Sequence, residues 1–573
     1  MPRANDAIEA VLLEYADLLS IVSEDRFKPR AYEKAARAVG GYPADLDGAD
    51  LREILQVPSV GRSIGEKVHE FLVSSKIAAL EELRAQIPAG VRDMIAVPGL
   101  GPKKAMVLYR DLGIDGLEPL GRAVDEGRLA GLTGFGAKTE ENISRGLERL
   151  EQTGGRVLAS VAMDLAELLI DSLGRRRDVR RIEYAGSLRR MAETIGDLDL
   201  LVASDHPVGV MDAFVGVAGI ERVLAKGDTK SSVLMRQGIQ VDLRVVPIEA
   251  WGAAMIYFTG SKAHNIRIRE MAVRKGLKLN EYGLYRAKTG RLIVAKTEEE
   301  VYAKLGLPLI PPTLREDRGE VEAALDGTLP DVLTRKQLRG DLHTHTNLTD
   351  GLATLEQMLE TAAALGYAYY AVTDHAPNLA MQRMTDEKML AQREQLQDLR
   401  SRYPKMMLLH GSELNIDPDG GVDWGPEFLE RFDVCVASVH SHFTQGKDEM
   451  TRRLIRAMEN PFVQIIGHPT ARLINKRPPI EFDLDEVFKA AARTGTALEV
   501  NGYPDRLDLK DEHILWARRH GVRFAVNTDS HSTTHLELMR YGVATAQRGW
   551  LTKEDVVNAW PLAKLRRFLR KGR

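Results

Sequence analysis

The first 150 residues place apolar side chains at helical intervals, as in Ile8, Val11, Leu12, Tyr15, Leu18 and Leu19, and contain no run with the period of two of a strand. The spacing predicts an all-helical region. From Arg181 the pattern changes to short β-rich runs at 182–184, 198–203, 231–235 and 240–246, separated by longer helical segments, which predicts an α/β or α+β module. Pro308, Pro311 and Pro312 interrupt that pattern, and the polar stretch 314–340, with Gly327 and Pro330, reads as a linker holding one short helix near 320–325. Beyond residue 340, apolar runs at 368–373, 407–410, 434–439, 463–466, 497–500 and 524–527 alternate with helical segments. Strands that keep returning with a helix between them predict a parallel barrel, whose reactive groups gather at the strand C-termini.

Composition sharpens this picture. A chain of 573 residues is too long for one domain, and 44% hydrophobic with 28% charged residues excludes a disordered, collagenous or coiled-coil protein. With 79 basic against 82 acidic residues there is no overall positive field, so any contact with DNA must be local. Cys435 is the single cysteine, which rules out an intrachain disulfide and a thiolate zinc cluster and fits a reducing compartment. Asp6 and Glu9 fall where a signal peptide needs an apolar run, and Asp164 and Glu167 break the most apolar helix-like stretch, 157–170. A cytoplasmic protein without a membrane segment is expected. Of 14 histidines, 11 lie after residue 340, which sets the C-terminal third apart chemically.

An internal repeat occupies the helical region: Val57-Pro58-Ser59-Val60-Gly61, Val97-Pro98-Gly99-Leu100-Gly101 and Leu132-Thr133-Gly134-Phe135-Gly136, each preceding a helix. Such a turn lets the backbone approach a phosphate, and the free N–H groups of the next helix donate to it without net positive charge. A single copy is ordinarily a helix connection; three copies favour phosphate contact. They resemble helix-hairpin-helix motifs, the second copy best, with Lys103 and Lys104 following, while the first has Ser59 in place of glycine.

Gly186-Ser187-Leu188-Arg189-Arg190 is followed by Asp197-Leu198-Asp199, and Asp242 lies on a later strand. Residues two apart on a strand face the same side, so Asp197 and Asp199 can share a metal pair with Asp242. Two divalent cations would neutralise three clustered carboxylates and suit phosphoryl transfer. An Asp-x-Asp pair alone is common at solvated strand ends. Together with Tyr257-Phe258-Thr259-Gly260-Ser261, however, these residues resemble family X DNA polymerases, over residues 1 to about 318. The resemblance implies Mg²⁺ or Mn²⁺ held by Asp197, Asp199 and Asp242, with Asp242 accepting the primer 3'-hydroxyl proton. It places Gly186, Ser187 and Arg190 at the incoming triphosphate, Tyr257, Phe258 and Gly260 at the nucleotide sugar, and Asn265 and Arg269 at the nascent pair and template. Gln240 stands where several relatives have a basic residue. The N-terminal segment resembles the family's small lyase domain, with Tyr32 and Lys67 at matching places; an amine there could form a Schiff base with an abasic sugar. The alternative is a surface lysine flanked by Glu66 and Glu70.

In the C-terminal third, Asp341-Leu342-His343-Thr344-His345 is followed by Asp350, Asp374-His375, Glu413, His440, His468, Asp529 and His531. Imidazoles and carboxylates recurring at successive strand ends suit Zn²⁺, Mn²⁺ or Fe, and nine ligands (His343, His345, Asp350, His375, Glu413, His440, His468, Asp529, His531) imply two or three ions. The pattern is similar to the polymerase and histidinol phosphatase (PHP) family of phosphoesterases, a distorted (β/α)7 barrel, over residues 339 to about 565. His410, His442, His513, His520 and His535 fall outside the ligand set, with His442 read as lining the pocket and His513 and His520 as helix-surface residues. Cys435 reads as core.

The expected architecture is therefore a lyase-like helical domain (1–85), helix-hairpin-helix fingers (86–150), a nucleotidyltransferase palm (151–250), a thumb-like subdomain (251–318), a linker (319–338) and a PHP domain (339–573). The DNA contacts would come from Tyr32, Gly61, Gly99, Gly101, Lys103, Gly134 and Gly136. The order resembles bacterial family X polymerases that carry a PHP domain. It implies template-directed filling of short gaps in DNA repair, coupled to a 3'-5' exonuclease or phosphodiesterase, with cleavage at abasic sites and 5'-deoxyribose phosphate lyase chemistry left open. Gapped or primer-template DNA and dNTPs are the expected partners, with no membrane, for a monomer that is nucleoid-associated when bound to DNA. The alternatives are a PHP nuclease or phosphatase with a DNA-holding palm, and a non-catalytic repair scaffold.

Overall fold

The N-terminal helices follow the apolar stripe. In the computed structural model, which describes residues 4–571 apart from 23, 24, 26, 43, 96, 98, 99, 130, 131, 133, 134, 137, 138, 141, 142, 145, 148–154 and 380–383, eight helices run between Ala4 and Asp125. They bury one continuous cluster from Ile8 and Leu12 through Val57, Val97 and Leu100 to Phe135 and Ile143. Asp50 starts the helix Leu51–Ile54 by accepting from the Arg52 and Glu53 amides while the Glu53 side chain takes the Asp50 amide. The repeated turns share one geometry: Val60 N donates to Val57 O, Leu100 N to Val97 O and Phe135 N to Leu132 O. Ser59, at the place of the glycine in the other copies, has φ 66°, so the turn demands a left-handed residue there. The matching Gly99 and Gly134 lie outside the described residues.

Next comes a small pair, β1 (Val157–Leu158) with β3 (Thr194–Ile195), and a five-stranded sheet of β2 (Arg181–Tyr184), β4 (Asp197–Ala203), β7 (Gln240–Val246), β6 (Lys230–Met235) and β5 (Ile220–Lys226), in that spatial order. β4 and β7 are parallel and the other pairs antiparallel. Leu198, Leu200 and Val202 turn to one face and pack with Val241 and Leu243 under the helices Ala159–Gly174 and Pro207–Val215. The opposite face carries Asp197 and Asp199, then Leu201 and Ala203 against Trp251. β5 was not expected from the sequence; after Ile220 all its residues are exposed, so it lacks an apolar alternation. Residues 251–318 add the helices Trp251–Thr259 and Lys262–Arg274 and an antiparallel sheet of β8 (Leu277–Asn280), β9 (Gly283–Arg286) and β10 (Leu292–Val294), whose strands are too short to show a period. The linker contains the helix Glu320–Leu325, where the pattern had placed it.

Seven parallel strands follow in chain order: β11 (Gly340–Asp341), β12 (Tyr369–Val372), β13 (Met407–Asn415), β14 (Val434–Ser438), β15 (Ile465–Ile466), β16 (Ala497–Asn501) and β17 (Arg523–Asn527). A bridge between Thr344 and Ser530 brings the extension of the first strand to that of the last, so the sheet curls into a nearly closed barrel. The strands read as continuous apolar runs because both faces are covered. β13 runs five residues past the expected end at His410 and holds Glu413 within its ladder, opposite Val436. The barrel touches the preceding modules through Arg472 with Glu193 (2.7 Å), Arg540 with Glu167 (2.9 Å) and Arg548 with Glu316 (2.7 Å). Among the described residues, no helix is long and apolar enough to cross a membrane.

Candidate active sites

On the five-stranded sheet the parallel pairing of β4 and β7 sets Asp199 directly opposite Asp242, with Asp197 two residues up the same face. Burial, with the Asp197 and Asp242 carboxylates beside it, pushes the Asp199 carboxyl up to about 7. Such a concentration of negative charge fits divalent cations. Burial also works against ionisation of Asp242, but Lys230 Nζ at 2.8 Å and Gln240 Nε2 at 2.7 Å hold its carboxyl below the ordinary range. Lys230, from neighbouring β6, thus supplies the positive charge that Gln240 lacks. Asp199, Asp242 and Lys230 line a cavity of about 140 Å³ together with Arg244 and Phe258.

Gly186 closes against the carboxylates: it has φ 60°, and a Cβ there would lie 2.2 Å from Asp199 Oδ2. It opens the helical turn Gly186–Arg189, which carries Ser187 and ends at Arg190. Arg190 Nη1 donates to Thr259 O at 2.6 Å, which brings it to Gly260. Its neighbour Arg189 faces elsewhere, clamped to Glu298 at 2.5 Å and to Thr259 Oγ1 at 2.7 Å, and so fastens the sheet module to the following one. Tyr257 is part-exposed and packs against Phe258, their ring centroids 5.1 Å apart. Asn265 Nδ2 donates to Tyr257 O at 2.7 Å, and Arg269 Nε to Asn265 O at 3.2 Å, so the Tyr257–Gly260 and 265–269 segments are tied together.

In the helical region, Lys67 is half-buried with Nζ 5.9 Å from the ring centroids of both Tyr15 and Tyr32. Tyr32 is only 2% exposed, so it lies beneath the amine rather than at the surface expected of a DNA contact. The amine is not bound to Glu66, which pairs with Arg62 instead. Gly61, Gly101 and Gly136 have open space where a Cβ would be, so packing does not require glycine there, and Lys103 follows on the helix Pro102–Leu112.

The nine C-terminal residues converge at one barrel mouth. Glu413 is the centre: its Oε2 lies 3.0 Å from His375 Nδ1, 3.4 Å from His343 Nε2 and 3.5 Å from His345 Nε2, while Oε1 lies 3.1 Å from His440 Nε2 and 3.0 Å from His468 Nε2. Asp350 Oδ2 is 3.4 Å from both His375 Nε2 and His531 Nε2, and Asp529 Oδ1 is 3.2 Å from His345 Nε2. Three overlapping groups have ligand atoms within 4.8 Å of one another: His345, Asp350, His375 and His531; His343, His345 and Asp529; and His375, Glu413 and His440. The buried nitrogens His343 Nε2, His345 Nε2 and His375 Nδ1 make no hydrogen bond in the structure, and this donor set fits divalent cations.

A layer of supporting contacts orients these side chains. His343 Nδ1 is 2.8 Å from Glu499 Oε1, His440 Nδ1 is 2.7 Å from Asn415 Oδ1, and His531 Nδ1 is 2.7 Å from the Asp529 carbonyl. Each bond selects the ring nitrogen left to face the cluster. Asp529 has φ 54° and His468 φ 28°, strained values for residues with a Cβ, held because their side chains are buried in this network. Arg506 stands at the edge, with Nε 3.7 Å from Asp529 Oδ2. Asp374 serves instead to bind Thr346, Thr349 and Gln392.

Four segments of the chain match known families: a helix-hairpin-helix domain at 3–77, a SAM-like helix-hairpin-helix tandem at 91–149, the DNA polymerase beta thumb at 254–316 and the PHP domain at 341–502. The chain is 35% identical to the DNA polymerase/3'-5' exonuclease PolX of Bacillus subtilis over 97% of both proteins. The chain belongs to the PolX family. The PolX relationship contrasts with two partial ones. A probable phosphatase of Acetivibrio thermocellus is 31% identical over 33% of this chain and 78% of its own, and rat DNA polymerase lambda is 25% identical over 52% of this chain and 53% of its own. Membership of the PolX family and the PHP match imply dependence on divalent metal, and both clusters of acidic and imidazole side chains lie in this one chain.

Four participants escaped the sequence reading. Glu499 and Asn501 lie inside the apolar strand β16, where a Glu-x-Asn pair was the available signal for a buried polar network. Lys230 reaches Asp242 only through the antiparallel pairing of β6 with β7, which a linear pattern does not reveal. Arg506 follows β16 in an irregular loop. Of the excluded histidines, His442 is exposed, with its ring on Ser441, rather than lining the pocket; His513 and His520 are half-buried rather than surface residues; and His410 is buried against Phe432. Cys435 is fully buried in the barrel core.

Proposed function

We infer that this PolX protein is a DNA polymerase that fills short gaps in repair, with its polymerase centre on the five-stranded sheet and its 3'-5' exonuclease centre at the barrel mouth. The observation that carries this reading is the presence of two separate ligand constellations in one chain, the Asp197, Asp199 and Asp242 cluster and the nine-residue cluster around Glu413. At the first, Mg²⁺ or Mn²⁺ held by the three aspartates would supply charge neutralisation for nucleotidyl transfer. Asp242, the carboxylate that the family resemblance places at the primer 3'-hydroxyl, is ionised beside Lys230 and Gln240 and would accept that proton. Arg190, projecting from the Gly186–Arg189 turn with Ser187, holds the incoming triphosphate, and the tied segments of Tyr257, Phe258, Gly260, Asn265 and Arg269 shape the nucleotide and template side.

In the barrel, two or three of Mn²⁺, Zn²⁺ or Fe would supply the Lewis acidity for hydrolysis of a terminal phosphodiester. Glu413 and Asp529 hold the imidazoles in one array, and Glu499 fixes the His343 ring. Gapped or primer-template DNA is gripped at the Gly61, Gly101 and Gly136 turns with Lys103, by backbone amides that have no side chain in the way. Lys67, seated over two tyrosine rings, is the lyase candidate for a 5'-deoxyribose phosphate end. A cytoplasmic monomer acting on the nucleoid completes the proposal. The test is incubation of labelled gapped DNA with purified protein: extension with dNTPs and Mg²⁺ or Mn²⁺, and 3'-end shortening without dNTPs, are expected. A protein that hydrolyses a simple phosphomonoester but neither extends nor shortens DNA would contradict the reading.

A further inference from the structure

Three modules meet at Glu316. Its Oε1 accepts from Arg190 Nε at 3.0 Å and from Arg548 Nη1 at 2.7 Å, and the same Arg548 nitrogen donates to the Arg190 carbonyl at 2.8 Å. Arg190 follows the Gly186 turn of the sheet module, Glu316 ends the thumb match, and Arg548 is the last residue of the barrel helix Met539–Arg548. The row continues outward, since Asp511 accepts from Arg548 Nε at 2.9 Å and from Arg318 Nη1 at 3.0 Å. Charges therefore alternate along Arg190, Glu316, Arg548, Asp511 and Arg318. The first three side chains of the row are sheltered, Arg190 being 15%, Glu316 18% and Arg548 9% exposed, so their hydrogen bonds are stronger than those of surface pairs. Burial opposes ionisation of Glu316, but the Arg548 and Arg190 charges hold its carboxyl below the ordinary range.

We propose that Glu316 and Arg548 are positioning residues for nucleotide binding, through which the barrel sets the orientation and effective charge of Arg190; this rests on the reading that Arg190 holds the incoming triphosphate. A carboxylate shared by two guanidinium groups neutralises each only in part. Without Arg548, Glu316 pairs with Arg190 alone, Arg190 offers less positive charge to a triphosphate, and the clamp on its carbonyl is lost. The side-chain partners of Arg548 are Glu316, Asp511 and the Arg190 carbonyl, none of them in the nine-residue cluster, so this coupling is separate from the exonuclease chemistry.

The experiment measures kcat and KM for dNTP in single-nucleotide insertion into gapped DNA by the full chain, with exonuclease rate and bound metal recorded alongside. Arg548→Met raises KM about tenfold, the loss of roughly one charge-assisted bond, with kcat nearly unchanged and the exonuclease intact. Arg548→Lys, which keeps the charge, gives an intermediate KM. Adding Glu316→Gln to Arg548→Met lowers KM again, because the unshared carboxylate is gone. An unchanged KM in Arg548→Met while Arg190→Ala raises it overturns the coupling and leaves the Arg190 reading standing; an unchanged KM in Arg190→Ala overturns both. Should Arg548→Met lose bound metal, Arg548→Lys decides: a wild-type KM there overturns the proposal. A KM that rises further in the double variant also overturns it.

Discussion

Glu499→Gln is the sharpest probe of the metal cluster proposed for the barrel. The Glu499 side chain is fully buried and accepts four hydrogen bonds: Oε1 from His343 Nδ1 at 2.8 Å and Asn527 Nδ2 at 2.9 Å, and Oε2 from the His468 amide at 2.7 Å and Asn501 Nδ2 at 3.1 Å. Glutamine keeps the shape but turns one oxygen into a donor, so two of the four donors face an NH₂ group and the charge opposite His343 disappears. Loss of one charge-assisted hydrogen bond costs about 1.5–3 kcal/mol. At 1.4 kcal/mol per decade that is roughly 10- to 100-fold, the range expected when the partner of a metal-ligating histidine is removed. Competition with a chromophoric chelator should therefore show weaker metal binding by about that factor, with 3'-end degradation falling in parallel and gap filling unchanged. Metal affinity within twofold of wild type would refute the argument that Glu499 sets the His343 ring.

Gly186→Ala should abolish nucleotide addition and spare 3'-end degradation, because the new Cβ would sit 2.2 Å from Asp199 Oδ2 on a backbone at φ 60°; primer extension in the presence of Mn²⁺ checks it. Lys67→Ala should remove adducts trapped by borohydride with a 5'-deoxyribose phosphate end while polymerisation continues, and absence of adduct with wild-type protein would end the lyase proposal. Burial favours protonation of Glu298, but the Arg189 hydrogen bond and the Arg315 charge hold its carboxyl down at about 2. A depressed carboxyl contributes stability that is present above the ordinary value of 4.5 and lost as pH falls towards 2. Glu298→Gln should cost about 3 kcal/mol at neutral pH and flatten the fall in melting temperature over that acid window, measured by scanning calorimetry.

The candidate ligand sets, which the structure brings together, were legible because chemistry and periodicity coincide in them. Asp197 and Asp199 stand two apart on an apolar strand, and the barrel residues other than Asp350, which lies in a turn, fall at or just beyond a β run, so residue type and strand position point the same way. Elements without that coincidence stayed hidden. β5 is exposed after Ile220, and β8 to β10 are three or four residues long, so neither offers a period to read. Groups recruited across the sheet were hidden for a related reason: Lys230 acts on Asp242 through strand pairing, and Glu499 acts on His343 from two strands round the nearly closed barrel, 156 residues along the chain. Tyr32 shows the converse, a residue matched by position whose surroundings are set by packing against Tyr15.

The central claim is that one chain carries two independent metal-dependent centres, and a crossed pair of variants tests it most directly. Asp197→Ala with Asp199→Ala, and His343→Ala with His345→Ala, are each assayed for gap filling, for 3'-end degradation and for bound transition metal by elemental analysis. The expected result is a clean exchange: the aspartate variant degrades 3' ends and retains its transition metal but adds no nucleotide, and the histidine variant fills gaps but loses metal and degradation. Loss of both activities in either variant that remains folded, or degradation that survives in the histidine variant, would contradict the account.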